Sequence, residues 1–295
     1  MKIGKINCIS IAKNAYVSRL EAVASPPLNL YSIGSLPDKR RPTVAIIGSR
    51  TPTPYGEEVT RHFASFLAKN GVVIVSGLAY GIDSIAHRAA VKAGGTTIAV
   101  LAGGLHAIYP AAHSDLARSI VRSGGALISE HPAGHEARKY DFLGRNRLIS
   151  GLADAVLVPE ATIRSGSLST ISHAREQDRD VFIIPGPITS PLSAGTNSAL
   201  QEGCLVALRP EDILERIAPG WARHRTKGAQ QQLPLGDTPL EQQIIQALSA
   251  GALPRDAFYD HTNASTQEVL TALTMLELKG VVHPHGGDVW SLERP

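Results

Sequence analysis

The apolar positions in the centre of the chain fall into short continuous runs separated by amphipathic stretches. Val44-Ala45-Ile46-Ile47 is the first run and ends in Gly48-Ser49-Arg50. A helical pattern from about Glu57 to Lys69 follows and stops at Asn70-Gly71. Val72 to Val75 is the next run, ending in Ser76-Gly77, and a helix opening at Asp83 runs to Ala93 before Gly94-Gly95. Thr97 to Leu101 repeats the pattern and ends in Gly103-Gly104. A helix from about Ser114 to Arg122 leads to Ala126-Leu127-Ile128 and Ser129-Glu130. Further runs at 155–158, 181–184 and 205–208 alternate with helical patterns.

A strand that is apolar at every position is covered on both faces, so this alternation predicts a mainly parallel sheet between helical layers. Right-handed crossovers make it an α/β fold with an extended, doubly wound, Rossmann-like sheet whose binding crevice lies at the carboxyl ends of the strands. This domain is expected over 43–218, after an N-terminal extension over 1–42 in which Leu28 to Tyr31 follows Pro26-Pro27 as a strand. Residues 219–237, rich in glycine, proline and glutamine, read as a linker.

Over 238–295 the pattern changes to helices at about Leu240–Leu248, Pro254–Tyr259 and from Ser265 onward. Ser265 and Glu268 are spaced as a capping box, and Val269, Leu270, Leu273, Leu276 and Leu278 form the apolar stripe of the third helix. Gly280–His283 and Val289–Leu292 flank His285-Gly286-Gly287-Asp288 as a hairpin. Three helices and a hairpin predict a small C-terminal winged-helix domain.

Composition narrows the functional classes. No apolar run is long enough to span a membrane, and the amino terminus has neither a signal-peptide nor a transit pattern. Cys8 and Cys204 are the two cysteines and form no CxxC, so a disulfide framework and a cysteine-based zinc site are not expected and a cytoplasmic location fits. The net charge of +3 hides an asymmetry. Residues 1–42 carry seven basic and two acidic groups, and 43–150 carry eleven and seven. Residues 151–218 carry five and nine, 219–237 three and one, and 238–295 three and seven. A polyanion is therefore expected on the first half of the chain.

Several turns after the strands carry candidate chemistry. Gly48-Ser49-Arg50 offers close backbone approach and a guanidinium fork for a phosphate, or is an ordinary turn with a solvated arginine. No dinucleotide or P-loop fingerprint follows this strand. In Ser76-Gly77-Leu78-Ala79-Tyr80-Gly81-Ile82-Asp83, the glycines permit a tight loop and Asp83 caps the helix or shapes a ligand site. His87 reads as a satisfied helix histidine. The segment from Arg138 to Arg147 combines four cations with Tyr140 and Phe142. That composition suits a single strand of nucleic acid, with cations on the backbone and a ring under an unstacked base. The plain alternative is a solvated basic loop with Phe142 packed inward. Arg164 to Thr170 places hydroxyls and N–H groups at a helix N-terminus, an anion site or simple capping. Pro185-Gly186-Pro187 and Ser193 to Asn197 repeat that arrangement after the next strand. His131 and His135 are four apart, but Pro132 and Gly134 preclude the one-face helical geometry of paired zinc histidines, and no metal or cofactor is expected.

With these residues in view, the chain resembles the DNA-processing protein A (DprA, also called Smf) family. The matching elements are GSR at 48–50, SGLAYGIDSIAH at 76–87, GGL at 103–105 and YP at 109–110. They continue with SEHPAG at 129–134, FLGRNRLISGLADAVLVPEA at 142–161, SGSLST at 165–170, PGPI at 185–188 and SAGTN at 193–197. The resemblance runs from about residue 28 to 216 with a winged-helix tail. It implies a non-enzymatic homodimer that binds single-stranded DNA, protects incoming DNA and helps load a RecA-type recombinase during natural transformation. By position it implies DNA contacts at Arg50, Lys139, Phe142, Arg145, Asn146, Arg147, Ser165 and Gly166. Leu143 replaces a usual proline, which would loosen the loop presenting Phe142, and His113 replaces a usual asparagine. The N-terminus is too short for the full helical domain that many members carry.

Two other readings compete. Nucleotide-binding phosphoribohydrolases of the lysine decarboxylase-like type look similar around Arg147 and Ala153-Asp154-Ala155, but carry PGGxGT and then a catalytic glutamate. Here that place reads SGSLSTISHA, with no glutamate until Glu176. A winged-helix DNA regulator is opposed by the acidic excess of the last domain.

Overall fold

The main sheet runs in the strand order Asn7–Ser10 (β1), Asn29–Gly34 (β2), Ala126–Ser129 (β6), Thr97–Val100 (β5), Val73–Ser76 (β4), Thr43–Ile46 (β3), Ala155–Val158 (β7), Asp180–Ile183 (β8) and Leu205–Val206 (β9). The computed structural model describes residues 3–221, 236–248, 253–262, 264–285 and 288–292. The chain divides into two compact units, 1–222 and 223–295. Of the expected linker, residues 222–235 lie outside the described residues, as do Gly286 and Gly287 of the expected hairpin.

In the first unit the strands are β1 (Asn7–Ser10), β2 (Asn29–Gly34), β3 (Thr43–Ile46), β4 (Val73–Ser76), β5 (Thr97–Val100), β6 (Ala126–Ser129), β7 (Ala155–Val158), β8 (Asp180–Ile183) and β9 (Leu205–Val206). Between them lie α1 (Pro54–Lys69), α2 (Ile82–Lys92), α3 (Ser114–Arg122), α4 (Lys139–Leu152), α5 (Ser167–Glu176) and α6 (Pro191–Gln201), with α7 (Pro210–Ile217) closing the unit. Strands β3 to β9 pair in parallel. Alternate residues of each central strand enter opposite cores, as a pleated strand requires. Ala45, Val75, Val156 and Ile183 face one core with residues of α4, α5 and α6. Val44, Ile46, Ile74, Leu157 and Phe182 face the other with α1, α2 and α7. Full burial of such side chains contributes roughly 1.5–3 kcal/mol each, which is why the uninterrupted apolar runs locate these strands.

The N-terminal extension is not a separate piece. β1 pairs antiparallel with β2, and β2 pairs antiparallel with β6, so residues 7–34 widen the sheet. Tyr16, Val17 and Leu20 are fully buried in the core beneath α4, and Arg19 pairs with Asp154 at 3.1 Å. The run at 205–208 shortens to the edge strand β9, whose Leu205 and Val206 are exposed because, among the described residues, β9 is the last strand of the sheet. The segment from Lys139 is helix, not loop. Asp141 accepts the Arg138 N–H at 2.7 Å with its side chain and donates its own N–H to the Arg138 carbonyl at 3.0 Å, which starts α4. Leu143 continues that helix with its N–H available to the helical ladder, so the expected loosening does not arise.

The second unit has helices Pro239–Leu248, Ala257–Thr262 and Thr266–Leu278 and a sheet in the order β10 (Leu253–Pro254), β12 (Val289–Leu292), β11 (Val282–His285). Its core contains Ile244, Leu248, Phe258, Val269, Leu273, Leu276 and Trp290. The capping box forms, with Ser265 N donating to Glu268 at 2.8 Å. Leu270 and Leu278 do not join the stripe. They are 38% and 78% exposed, and Ala272 takes the inward position instead.

Candidate nucleic-acid interface

The winding of the sheet reverses between β3 and β7. Strands β4, β5 and β6 step outward on one side of β3, whereas β7, β8 and β9 step outward on the other. The loops beyond two such strands diverge and leave a crevice at their carboxyl ends. A pocket of about 420 Å³ occupies this place. Its wall comes from Gly48–Thr51 after β3, Ala79 and Asp83 around the β4–α2 loop, Thr162 and Ser165–Ser167 after β7, and the face of α4.

That α4 face follows helical periodicity. Phe142, Leu143, Arg145, Asn146 and Ile149 line the pocket, while Arg147 does not. Arg147 points elsewhere and pairs with Glu130 at 2.6 Å. Lys139 is exposed but lies outside the pocket wall. Of the eight predicted contact residues, the pocket therefore gathers Arg50, Phe142, Arg145, Asn146, Ser165 and Gly166.

Their environments differ. Arg50 is exposed at the mouth. Arg145 is 6% exposed, and its Nη1 donates to Gly77 O at 2.7 Å and Val100 O at 2.6 Å. Burial pulls its pKa down to about 10, opposed by Asp83, so it is charged at neutral pH. Burial pushes the Asp83 carboxyl up, opposed by Arg145 and by the N–H groups of Gly77 and Ala79 that it accepts. Asn146 donates to Ser169 Oγ at 2.9 Å and so ties α4 to the first turn of α5. Ser165 Oγ donates to Ser167 Oγ, which donates to Gly48 O at 3.0 Å, tying that turn to the turn after β3.

The Gly77–Gly81 loop is held from all sides. Gly81 has φ +71° and lies against the main chain of Ser49 and Arg50, where a Cβ would collide. Leu78 is buried at φ +58°, and His113 Nδ1 donates to its carbonyl at 2.8 Å. The histidine that departs from the family pattern thus supplies a donor that an amide could also supply. Asp83 sits inside the first turn of α2, whose N-cap is Gly81, so it anchors the loop rather than capping the helix. His87 is fully buried with Nδ1 2.7 Å from Thr97 Oγ1.

Two further side chains shape the site, and neither was given a DNA-contact role from the sequence. Tyr109 packs edge-on against Phe142 at 5.5 Å between centroids and is 63% exposed, so the ring is half of an aromatic pair. Glu160 is buried and accepts from Thr53 N and Oγ1, fixing the start of α1. Asp83 is the carboxylate among the pocket-lining residues, and it is already engaged. Glu176 stands at the far end of α5 from Ser165 and Gly166 and pairs with His173.

Fold and site together define a doubly wound, Rossmann-like α/β protein with a cationic, aromatic-edged pocket at its switch point and a winged-helix tail. The chain belongs to the family described as DNA recombination-mediator protein A, which it matches over residues 7–218. Residues 228–288 match the DprA winged helix domain. Protein Smf of Escherichia coli is 38% identical over 95% of this chain and 75% of its own length. DNA processing protein DprA of Bacillus subtilis is 40% identical over 72% of this chain and 71% of its own. The crystal structure of DNA processing protein A from Streptococcus pneumoniae aligns at 38% identity and TM-score 0.64 over 72% of this chain and 75% of that one. DNA processing protein A from Helicobacter pylori, described for its single-stranded DNA binding mode, aligns at 32% identity and TM-score 0.65 over 74% and 98%.

Proposed function

We propose that this chain binds single-stranded DNA across the pocket at the β3–β7 switch point and acts by binding rather than catalysis. Arg50 and Lys139 meet phosphates, Phe142 with Tyr109 stacks an unpaired base, and the Ser165-Gly166 turn offers donors at the positive end of α5. Arg145 and Asn146 hold the pocket in shape, and Arg147 contributes through its pairing with Glu130. In the cytoplasm the chain protects incoming DNA and, as a homodimer, helps load a RecA-type recombinase during natural transformation. Family membership and the single-strand binding described for the Helicobacter pylori relative support this reading.

The observation that carries it is the joint placement of Arg50, Phe142 and the Ser165-Gly166 turn around one pocket, from three separate stretches of sequence. Gel-shift titration with single- and double-stranded oligonucleotides across salt tests it. A preference for the single strand is expected, with a log–log salt slope of about 0.7 per phosphate contact. Equal affinity for duplex, or a flat salt response, overturns it.

A further inference from the structure

The exposed tyrosines of the main unit are confined to one end of its sheet. Among the described residues they are Tyr55, Tyr80, Tyr109 and Tyr140. Each follows the carboxyl end of a strand: Tyr55 after β3, Tyr80 after β4, Tyr109 after β5 and Tyr140 after β6. This is the end at which the pocket opens. A ring left in water forgoes the burial that normally holds aromatics in a core, so rings gathered at one edge point to a surface that meets a ligand.

Two of these tyrosines are paired with a second ring. Tyr109 meets Phe142 at the pocket. Tyr80 is 50% exposed and meets His113 edge-on, with centroids 4.9 Å apart and planes 62° apart. His113 is buried and its Nδ1 donates to Leu78 O at 2.8 Å, so the brace under Tyr80 is itself fixed. Leu78 and Gly81, both at positive φ, bracket the Tyr80 backbone. Gly81 lies against the main chain of Arg50, and Ala79 lines the pocket. The segment 109–113 carries Tyr109 against Phe142 at one end and His113 against Tyr80 at the other. Four residues span at most about 14 Å, so the two ring pairs are neighbours.

We propose that Tyr80, braced by His113, is a second base-stacking platform for single-stranded DNA, beside the one at Phe142 and Tyr109. The inference rests on the single-strand reading of the pocket and deepens it, because the strand then continues from the pocket over the loop after β4. An aromatic face accepts any base, so the platform adds affinity without sequence preference. A ring fixed in advance loses little rotamer freedom when a base settles on it. Arg50, whose main chain the Gly81 turn touches, supplies a cation to the same stretch of strand. The plain alternative is that Tyr80 only shields His113 from water.

The full chain is titrated with oligo-dT of about 16 nucleotides, long enough to cover both platforms. Tyr80→Ala and Tyr80→Leu should each weaken binding roughly five- to hundredfold, the loss of one stacked base, with the salt slope unchanged. Tyr80→Phe should bind as the parent does, because stacking uses the ring and not the hydroxyl. Leucine still covers His113, so the thermal midpoint of Tyr80→Leu should stay close to that of the parent. Parental affinity in folded Tyr80→Leu, with Phe142→Ala weakened, overturns the second platform and leaves the pocket reading standing. An equal loss in Tyr80→Phe overturns stacking at this residue. A parent chain that does not bind the oligonucleotide overturns both readings.

Discussion

The Arg145 guanidinium lies directly against Gly77, donating to its carbonyl at 2.7 Å in the space that a Cβ at residue 77 would fill. One cation thus joins the ends of β4 and β5 beneath the pocket. Arg145→Ala should lower unfolding free energy by about 3–5 kcal/mol, since it leaves buried carbonyls and Asp83 uncompensated. Gly77→Ala should cost roughly 1–3 kcal/mol by overpacking. Urea unfolding reads both, and an Arg145→Ala protein of parental stability with weakened DNA binding would show instead that the residue is a free phosphate contact.

Arg50 is the opposite case. It is exposed, so Arg50→Ala should leave the thermal midpoint within a degree or so while lowering the salt slope of single-strand binding by about 0.7. The measurement is affinity at several salt concentrations, and an unchanged slope would remove Arg50 from the interface.

Phe142→Ala should weaken single-strand binding by roughly 1–3 kcal/mol with little change in salt slope, because stacking releases no counterions. Tyr109→Ala should weaken it in the same sense by loosening its edge contact with Phe142. If Phe142 is only a packing residue, the loss will appear in thermal stability and the folded protein will bind normally.

His87 gives the main unit a pH dependence. Burial, with His113 and Arg145 nearby, drives its pKa from the ordinary 6.5 to about 3. The unfolded chain therefore takes up the proton more readily. Stability is fully present above 6.5 and declines as pH falls toward 3, with a loss of about 2 kcal/mol by roughly pH 5. Asn at this position keeps a donor for Thr97 and does not titrate, so His87→Asn should flatten this part of the stability–pH curve. A parental curve in that variant would assign the dependence elsewhere.

The winged-helix unit should not read DNA. Lys279 bonds Glu241 and Asp237 at 2.8 Å, and Arg255 pairs with Asp288 at 2.8 Å, so both cations among the unit's described residues are neutralised within it. Helix Thr266–Leu278 carries Glu268 and Glu277 and no basic residue. A recognition helix needs the reverse. Removal of residues 238–295 should leave single-strand affinity within a few fold, checked by the same gel shift. Tight duplex binding by the isolated unit would refute this.

The sequence determined the sheet and its order of elements. Strands buried on both faces must be apolar throughout, and helices on their faces must be amphipathic, so Val44–Ile47 or Ala155–Val158 needed no tertiary knowledge. It also placed Phe142, Arg145, Asn146 and Ser165 in a candidate site, because those residues stand in ordered motifs. Only the tertiary structure decided their separate duties. Helical residues two apart point about 160° apart, so which of Arg145 and Arg147 sits under the pocket depends on what α4 packs against. Long-range pairing likewise brought β2 beside β6 and set Tyr109 against Phe142. The facing of His131 and His135 depends on a left-handed glycine and on clamps from residues 104–106, contacts that no local spacing encodes.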